Sequence, residues 1–432
     1  MVTAGSAVGL GNIWKFPYIT GKYGGSAFVL MYLLAIVLTG IPIFLAELYI
    51  GRTSQKNAVQ AFEHLTGGKT AWSLVGWLGM IAGFLILCFY SVVGGWVLHY
   101  LWQAVFHGFA GQTSAVTQKA LHNLLAMPVQ MILCHFVFMT MTIGILLGGV
   151  SHGIERCNKV MMPALIGLLL VLLVRSMFLP GFHAAMDFLL KPDFSLLTPG
   201  ALLEAMGHAF FTLSLGIGAI ITYGSYTAKS QPLAPVAFSV VLLDTCIALV
   251  AGVVTLSAVY SYDAVPSSGP TLMFQTLPSM FGQMPGGRWV AIAFFTLVLF
   301  AALTSSVSML EPVIAYLTEK KKMSRRLVCL AGGAVAFALG SLCALSFNHL
   351  SHWKIGHDNI FDFVNKLTSN LFLPLGGLLI ILFFGWVLGA PAARATLDAK
   401  KDTFATRLFL FCARYVTPIA VTAVLINAVR HW

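Results

Sequence analysis

Three features of this 432-residue chain predict an all-α protein that crosses a membrane many times. Only 9% of its residues are charged, against roughly 25% in soluble domains, so 39 Asp, Glu, Lys and Arg cannot clothe a water-facing surface. Apolar runs of about 20 residues, the length of a membrane-spanning helix, recur along the whole chain. No polar stretch between them is long enough to form a separate domain. A soluble enzyme, a nucleic-acid binder and a disulfide scaffold are therefore excluded. The seven cysteines lie in or beside apolar segments without CxxC or metal-ligand spacing, and read as small core residues. No cleavable signal peptide is visible.

The apolar runs predict eleven helices, over 1–20, 26–51, 74–106, 127–150, 156–178, 200–226, 232–261, 287–318, 325–346, 360–390 and 405–429. The net charge of +11 sits between them, which is the positive-inside bias rather than a nucleic-acid footprint. With the N-terminus inside, loops 52–70, 151–159, 227–231, 319–326 and 391–407 hold 15 Lys and Arg. The opposite side holds nine, and Arg414 falls within a span. An odd number of helices then leaves the C-terminus outside.

Two spans carry breaks at corresponding positions. The first contains Gly5-Ser6-Ala7-Val8-Gly9-Leu10-Gly11-Asn12, the sixth Thr212-Leu213-Ser214-Leu215-Gly216-Ile217-Gly218. Repeated glycine in a membrane helix also serves simple close packing. Yet helices 1 and 6 each open a group of five, over 1–178 and 200–390, with 405–429 as an extra helix. This is the layout of an inverted repeat whose broken helices expose backbone carbonyls at mid-membrane.

The stretch from Gly5 through Asn12 to Ile13-Trp14-Lys15-Phe16-Pro17 resembles the first-helix signature of the neurotransmitter:sodium symporters, the LeuT family. Phe211 to Tyr223 resembles the sixth-helix signature. Gly40-Ile41-Pro42 with Glu47 and Gly51-Arg52, Thr276-Leu277-Pro278 and Leu303-Thr304-Ser305-Ser306 match in the same order. The resemblance covers nearly the whole chain, and eleven helices resemble the bacterial branch that transports hydrophobic amino acids.

The resemblance implies two sodium sites. One would use the Ala7 carbonyl, the Asn12 amide, Thr212 and Asp244, completed by the substrate carboxylate. The other would use the carbonyls of Gly5, Val8 and Ala301 with the hydroxyls of Thr304 and Ser305. Unwound backbone suits a hard cation because it supplies oxygen without adding charge. Adjacent hydroxyls in a membrane helix otherwise commonly bond back to the i−4 carbonyl.

Asp244 is a carboxylate inside the apolar run Val240–Cys246, where an ionisable residue reads as functional by default. A protonated, packing-satisfied Asp is the plainer alternative. Family members commonly carry Asn here and depend on chloride or on another acid, whose position is Ala248 in this chain. Asp244 would then supply the compensating charge itself, and chloride is not expected. His208 stands where the family usually has Gln. It is either a satisfied polar group or the partner of Asp244 in a pair that takes a proton when sodium leaves.

By the same resemblance, Tyr90 would donate to the substrate carboxylate, and Ile86, Phe211, Ser214, Ile217, Ser305 and Met309 would form the side-chain pocket. Ser6, Ala7, Gly9, Gly11, Thr212 and Leu215 would complete the binding region, with Gly216 and Gly218 leaving room for a large substrate group. Lys15 and Asp362 resemble the extracellular gate pair, with Lys in place of the usual Arg. Glu47 resembles the acid that supports unwound backbone. Five residues before Ser6 span only about 7.5 Å of helix, short of the roughly 15 Å from mid-membrane to the surface. A basic partner for Glu319 is also missing, so the expectation is that the start is truncated or misassigned.

The implied protein is a sodium-coupled symporter of hydrophobic and aromatic L-amino acids in the bacterial inner membrane. Its expected partners are the amino acid, two Na+ and the lipid bilayer, with no nucleic acid; its oligomeric state is left open. A proton-coupled transporter of the same fold and a non-transporting amino-acid sensor are the alternatives. Ser/His/Asp triad spacing is absent, so the chain does not read as an enzyme.

Overall fold

A computed structural model describes residues 2–111, 114–262 and 272–430. Met1, on which the expectation about the chain start rests, lies outside them. Among the described residues, nine helices are long and apolar enough to cross a membrane: α2 (Ser26–Ser54), α3 (Ser73–Phe106), α4 (Pro128–Leu147), α5 (Gly149–Met177), α7 (Leu233–Ser261), α8 (Gly287–Glu319), α9 (Arg325–Leu345), α10 (Ile360–Thr396) and α11 (Phe404–Arg430). Two broken helices join them. α1 (2–22) consists of Val2–Ala7, a break, a widened turn over Gly11–Lys15 and Phe16–Lys22. α6 (199–225) consists of Pro199–Thr212 and Ala219–Ser225. Together they make the eleven spans that the apolar runs predict.

Proline shapes several of these spans. Its ring cannot tolerate the carbonyl of residue i−4 in a regular helix. Widened turns at Gly11–Lys15, Ile36–Gly40, Leu272–Thr276, Leu367–Phe372 and Cys412–Val416 each end two residues before a proline: Pro17, Pro42, Pro278, Pro374 and Pro418. One freed carbonyl finds a side-chain partner. Leu38, four residues before Pro42, accepts from Thr417 Oγ1 on α11 at 2.7 Å. Arg414, the charge within a span, donates from Nε to the Gly385 carbonyl at 2.8 Å, inside another widened turn of α10.

The broken helices sit at the centre. α1 packs on α7 and α8; the two halves of α6 pack on the two halves of α2. α3 crosses α8, with α4 and α9 behind it. The approach of α2 to α6 needs glycine: a Cβ at Gly51 would collide with the Ile221 carbonyl. Outside the spans, Ala58–Leu65 is a short helix capped by Asn57, and Lys354–Ile355 pairs with Asp358–Asn359 in a small antiparallel hairpin.

Candidate functional site

The break in α6 is built by backbone that only a few residues tolerate. Ser214, Gly216 and Gly218 have φ of 53°, 80° and 73°. At Gly216 a Cβ would stand 2.5 Å from the Leu373 carbonyl of α10. The exposed backbone is held from two sides. Glu47, buried on α2, accepts from Gly216 N at 2.7 Å, and Ser214 Oγ donates to the Ser6 carbonyl of α1 at 2.9 Å.

Between the two breaks lies a cavity with about 360 Å³ of empty space. α1 lines it with Ala7, Gly9, Leu10 and Gly11, and α6 with Phe211, Thr212, Ser214 and Ile217. Ile86 and Tyr90 of α3, Ser305 and Met309 of α8 and Leu373 of α10 close it. Leu10 N donates weakly to the Tyr90 hydroxyl at 3.4 Å. A Cβ at Gly9 would lie 2.6 Å from Ser305 Oγ and 3.4 Å from Tyr90 Oη, so both hydroxyls converge on this one position.

Four of the expected residues stand outside the cavity wall. Ser6 offers its carbonyl to Ser214, Leu215 is fully buried in the core, Gly216 faces α10, and a Cβ at Gly218 would press on Ala58. In this conformation both glycines, at positive φ, let the backbone approach neighbouring helices rather than line the cavity. Leu10 and Leu373 were not anticipated. Leucine in a membrane segment carries no signal that separates a cavity wall from packing.

Two oxygen-rich clusters flank the cavity. In the first, Asn12 Nδ2 donates to Thr212 Oγ1 at 2.9 Å, to Asp244 Oδ1 at 2.7 Å and to the Asp244 carbonyl at 3.1 Å. Thr212 Oγ1 lies 3.2 and 3.1 Å from the two carboxylate oxygens, and Asn12 Oδ1 accepts from Gly9 N at 2.9 Å. Asn12, Thr212 and Asp244 are all buried. In the second, the Val8 carbonyl accepts from Ser305 Oγ at 3.2 Å and Thr304 Oγ1 at 3.4 Å, and Thr304 Oγ1 also reaches the Ala301 carbonyl at 3.0 Å. Both donor sets are the hard oxygen ligands that an alkali cation takes. Gly5 packs instead against Asn158 of α5, whose Oδ1 a Cβ would strike. Among the described residues no hydrogen bond joins Gly5 to Thr304 or Ser305.

The other expected pairings are not made. His208 is fully buried between the rings of Phe16 and Tyr32, at 5.9 and 5.3 Å, and neither ring nitrogen has a hydrogen-bond partner among the described residues. Asp244 is engaged by Asn12 and Thr212, so the Asp244–His208 hydrogen bond is absent. Lys15 meets Glu204 at 3.5 Å, with its ammonium 5.3 Å from the Phe211 ring centre, rather than Asp362. Asp362 is committed to the start of α10, where Asn359 accepts from its N–H and donates to its carboxylate, both at 2.8 Å. Glu319, expected to want a basic partner, accepts from Asn57 N at 3.0 Å and Nδ2 at 2.8 Å.

One cluster escaped sequence reasoning. Glu311 of α8, fully buried, is held by Arg325 at 2.9 and 2.7 Å and by the Tyr226 hydroxyl at 2.9 Å. An acid inside an apolar helix was the available signal, as it was for Asp244.

Comparison with known proteins places this geometry. The family model described as the sodium:neurotransmitter symporter family matches residues 1–117 and 109–432. The uncharacterized sodium-dependent transporter YhdH of Bacillus subtilis is 38% identical, over 99% of this chain and 95% of its own length. An uncharacterized sodium-dependent transporter of Haemophilus influenzae is 34% identical over the same shares. The crystal structure of MhsT in complex with L-phenylalanine superposes with a TM-score of 0.91 at 43% identity, covering 99% of this chain and 97% of that one. The chain belongs to the sodium:neurotransmitter symporter family and is an integral membrane protein.

Proposed function

We propose that this protein is a sodium-coupled symporter of hydrophobic and aromatic L-amino acids, working by alternating access and independent of chloride. The observation that carries the reading is the cavity between the two helix breaks. Its polar lining is the Tyr90 hydroxyl, Ser305, Thr212, Ser214 and the unwound backbone at Gly9; its apolar lining is Ile86, Phe211, Ile217, Met309, Leu10 and Leu373. That division suits an α-amino acid whose charged end meets backbone and whose side chain is apolar. The L-phenylalanine bound by MhsT supports it.

Sodium would take the two oxygen clusters. In the first, Asn12 presents N–H groups to Asp244, so a cation entering there turns the amide over and releases Gly9 N. Asp244 supplies the negative charge that balances the ion. Thr304, Ser305 and the carbonyls of Val8 and Ala301 hold the second ion. The basic loops put the N-terminus in the cytoplasm and the C-terminus outside, with 1–178 and 200–390 as the inverted repeats.

The test is counterflow of labelled L-phenylalanine in proteoliposomes, with sodium replaced by choline and, separately, chloride by gluconate. Exchange should need sodium and survive gluconate. Asp244→Asn should lose exchange or acquire an anion requirement. Thr304→Ala with Ser305→Ala should weaken sodium dependence at least tenfold, since hydrogen-bonding oxygen on a charged group contributes about 1.5–3 kcal/mol. Sodium-independent binding, a strict chloride requirement or preference for Asp or Lys would each contradict the reading.

A further inference from the structure

α4 does not touch the cavity, yet it carries buried polar groups in a helix whose other face is apolar and exposed at Leu133, Phe136 and Val137. His135 and Thr142 are seven residues apart, two turns along one stripe, and both are fully buried. His135 Nε2 and Ser91 Oγ of α3 are hydrogen-bonded at 2.9 Å. Thr142 Oγ1 and Ser306 Oγ of α8 are hydrogen-bonded at 2.9 Å. Ser91 directly follows Tyr90, and Ser306 directly follows Ser305. The two bonds therefore stand behind the two hydroxyls that converge on Gly9.

The surroundings are shaped around these contacts. A Cβ at Gly95 of α3 would lie 2.8 Å from His135 N, and one at Gly94 would lie 2.5 Å from the Phe138 ring. On the other side, a Cβ at Gly340 of α9 would stand 2.6 Å from both His135 Cε1 and the Cys88 carbonyl. The His135 ring rests 4.8 Å from that of Phe337. Glycine on both neighbours lets the imidazole enter a three-helix contact where an apolar residue would pack with less commitment. Hydrogen bonds between membrane helices resist rotation of one helix against another because no water replaces them.

We propose that His135 and Thr142 are positioning residues, fixing the rotation of α3 and α8 so that Tyr90 and Ser305 meet substrate and sodium at the α1 break. Tyr90 stands on a long lever from the α3 axis, so a small rotation at Ser91 displaces its hydroxyl. Ser305 has the same relation to Ser306. The division of labour is specific: His135 acts on the amino acid through Tyr90, and Thr142 acts on the cation through Ser305. This rests on the roles assigned to Tyr90 and Ser305 above.

The experiment measures L-phenylalanine and sodium affinities of the full-length protein, each titrated with the other saturating. His135→Phe should weaken L-phenylalanine about 3- to 20-fold, the range of a lost interhelical hydrogen bond, with sodium affinity within twofold. Thr142→Val should weaken sodium over the same range and L-phenylalanine by less, since Ser305 also borders the cavity. His135→Gln and Thr142→Ser, which keep a hydrogen-bonding group, should restore each. Ser91→Ala and Ser306→Ala approach the same bonds from the other side and should reproduce the split if an α4 variant does not fold. Wild-type affinities, or equal loss of both affinities with lowered thermal stability, would overturn the proposal. Tyr90→Phe and Ser305→Ala separate the two readings. If they change nothing, the site assignment falls; if they act and the α4 variants do not, the positioning role alone falls.

Discussion

The two ends of the central pathway are held in different ways. At the end bearing the basic loops, Glu311 has no exposure and receives two bonds from Arg325 and one from Tyr226, which closes the second half of α6. Arg325 also donates from Nε to the Leu146 carbonyl of α4. Gln55 and Arg52 donate to the carbonyls of Thr227 and Gln231 just beyond α6. At the opposite end Lys15 and Glu204, both partly exposed, meet at 3.5 Å. It borders an open cavity with about 930 Å³ of empty space. An exposed pair contributes about 0–1 kcal/mol, whereas removing one partner of a buried pair costs about 3–5 kcal/mol. In this conformation the basic end is locked by a hydrogen-bonded network around the buried Glu311, and the other end by packing with a weak electrostatic contact.

Breaking the strong end should have the largest effect. Arg325→Met leaves the Glu311 carboxylate buried without its cation. The expected cost is about 3 kcal/mol, the low end of the range, because Arg325 retains 26% exposure. A cysteine introduced at Thr227 should then be labelled faster, and thermal stability should drop. Tyr226→Phe removes one hydrogen bond to a charged group and should cost about 1.5–3 kcal/mol at most. Wild-type labelling and stability in Arg325→Met would erase the asymmetry between the ends.

A middle-sized effect belongs to neither end. Gly216→Ala puts a Cβ 2.5 Å from the Leu373 carbonyl at φ 80°. Strain and overpacking together should cost about 2 kcal/mol or more. Because Gly216 joins the break to α10 rather than to either closure, thermal stability should fall while Thr227 labelling stays near wild type. Faster labelling here would make the break part of the lock at the basic end.

The sequence reveals the lengths of these helices better than the pairing of their charges. Apolar runs place nine of the eleven spans within three residues, because helix length is a local property set by bilayer thickness; α5 starts seven residues earlier than expected and α10 ends six later. Pro17, Pro42, Pro278, Pro374 and Pro418 were visible too, but the widened turns before them depend on what donates to the freed carbonyls, such as Thr417 to Leu38. Asn12, Thr212 and Asp244 come together as the family resemblance implies, across more than 200 residues of chain. Motif matching carries such contacts where periodicity cannot. It failed at Asp362, whose local partner Asn359 lies only three residues away and holds the carboxylate. It also passed over Glu204 and Glu311, since an acid at a helix end or in mid-helix does not announce its partner.

The smallest expected effect decides which acid holds Lys15. Lys15 and Glu204 retain 28% and 38% side-chain exposure, so their attraction is that of a surface pair. A double-mutant cycle of Lys15→Met with Glu204→Gln should give a coupling of about 0.2–1 kcal/mol, read from L-phenylalanine affinity. The parallel cycle with Asp362→Asn should give coupling near zero, because Asn359 already occupies that carboxylate. Salt supplies an independent check. Raising ionic strength from about 0.01 M to 1 M shortens the screening length from about 30 Å to 3 Å. Coupling through Glu204 should therefore fade, whereas the buried Glu311–Arg325 pair should be screened much less. The added salt must be choline chloride, since sodium is itself a proposed ligand and would move the affinity by mass action. If Asp362 carries the larger coupling, Lys15 changes partner as substrate binds, and the weak end of the molecule is the one that rearranges.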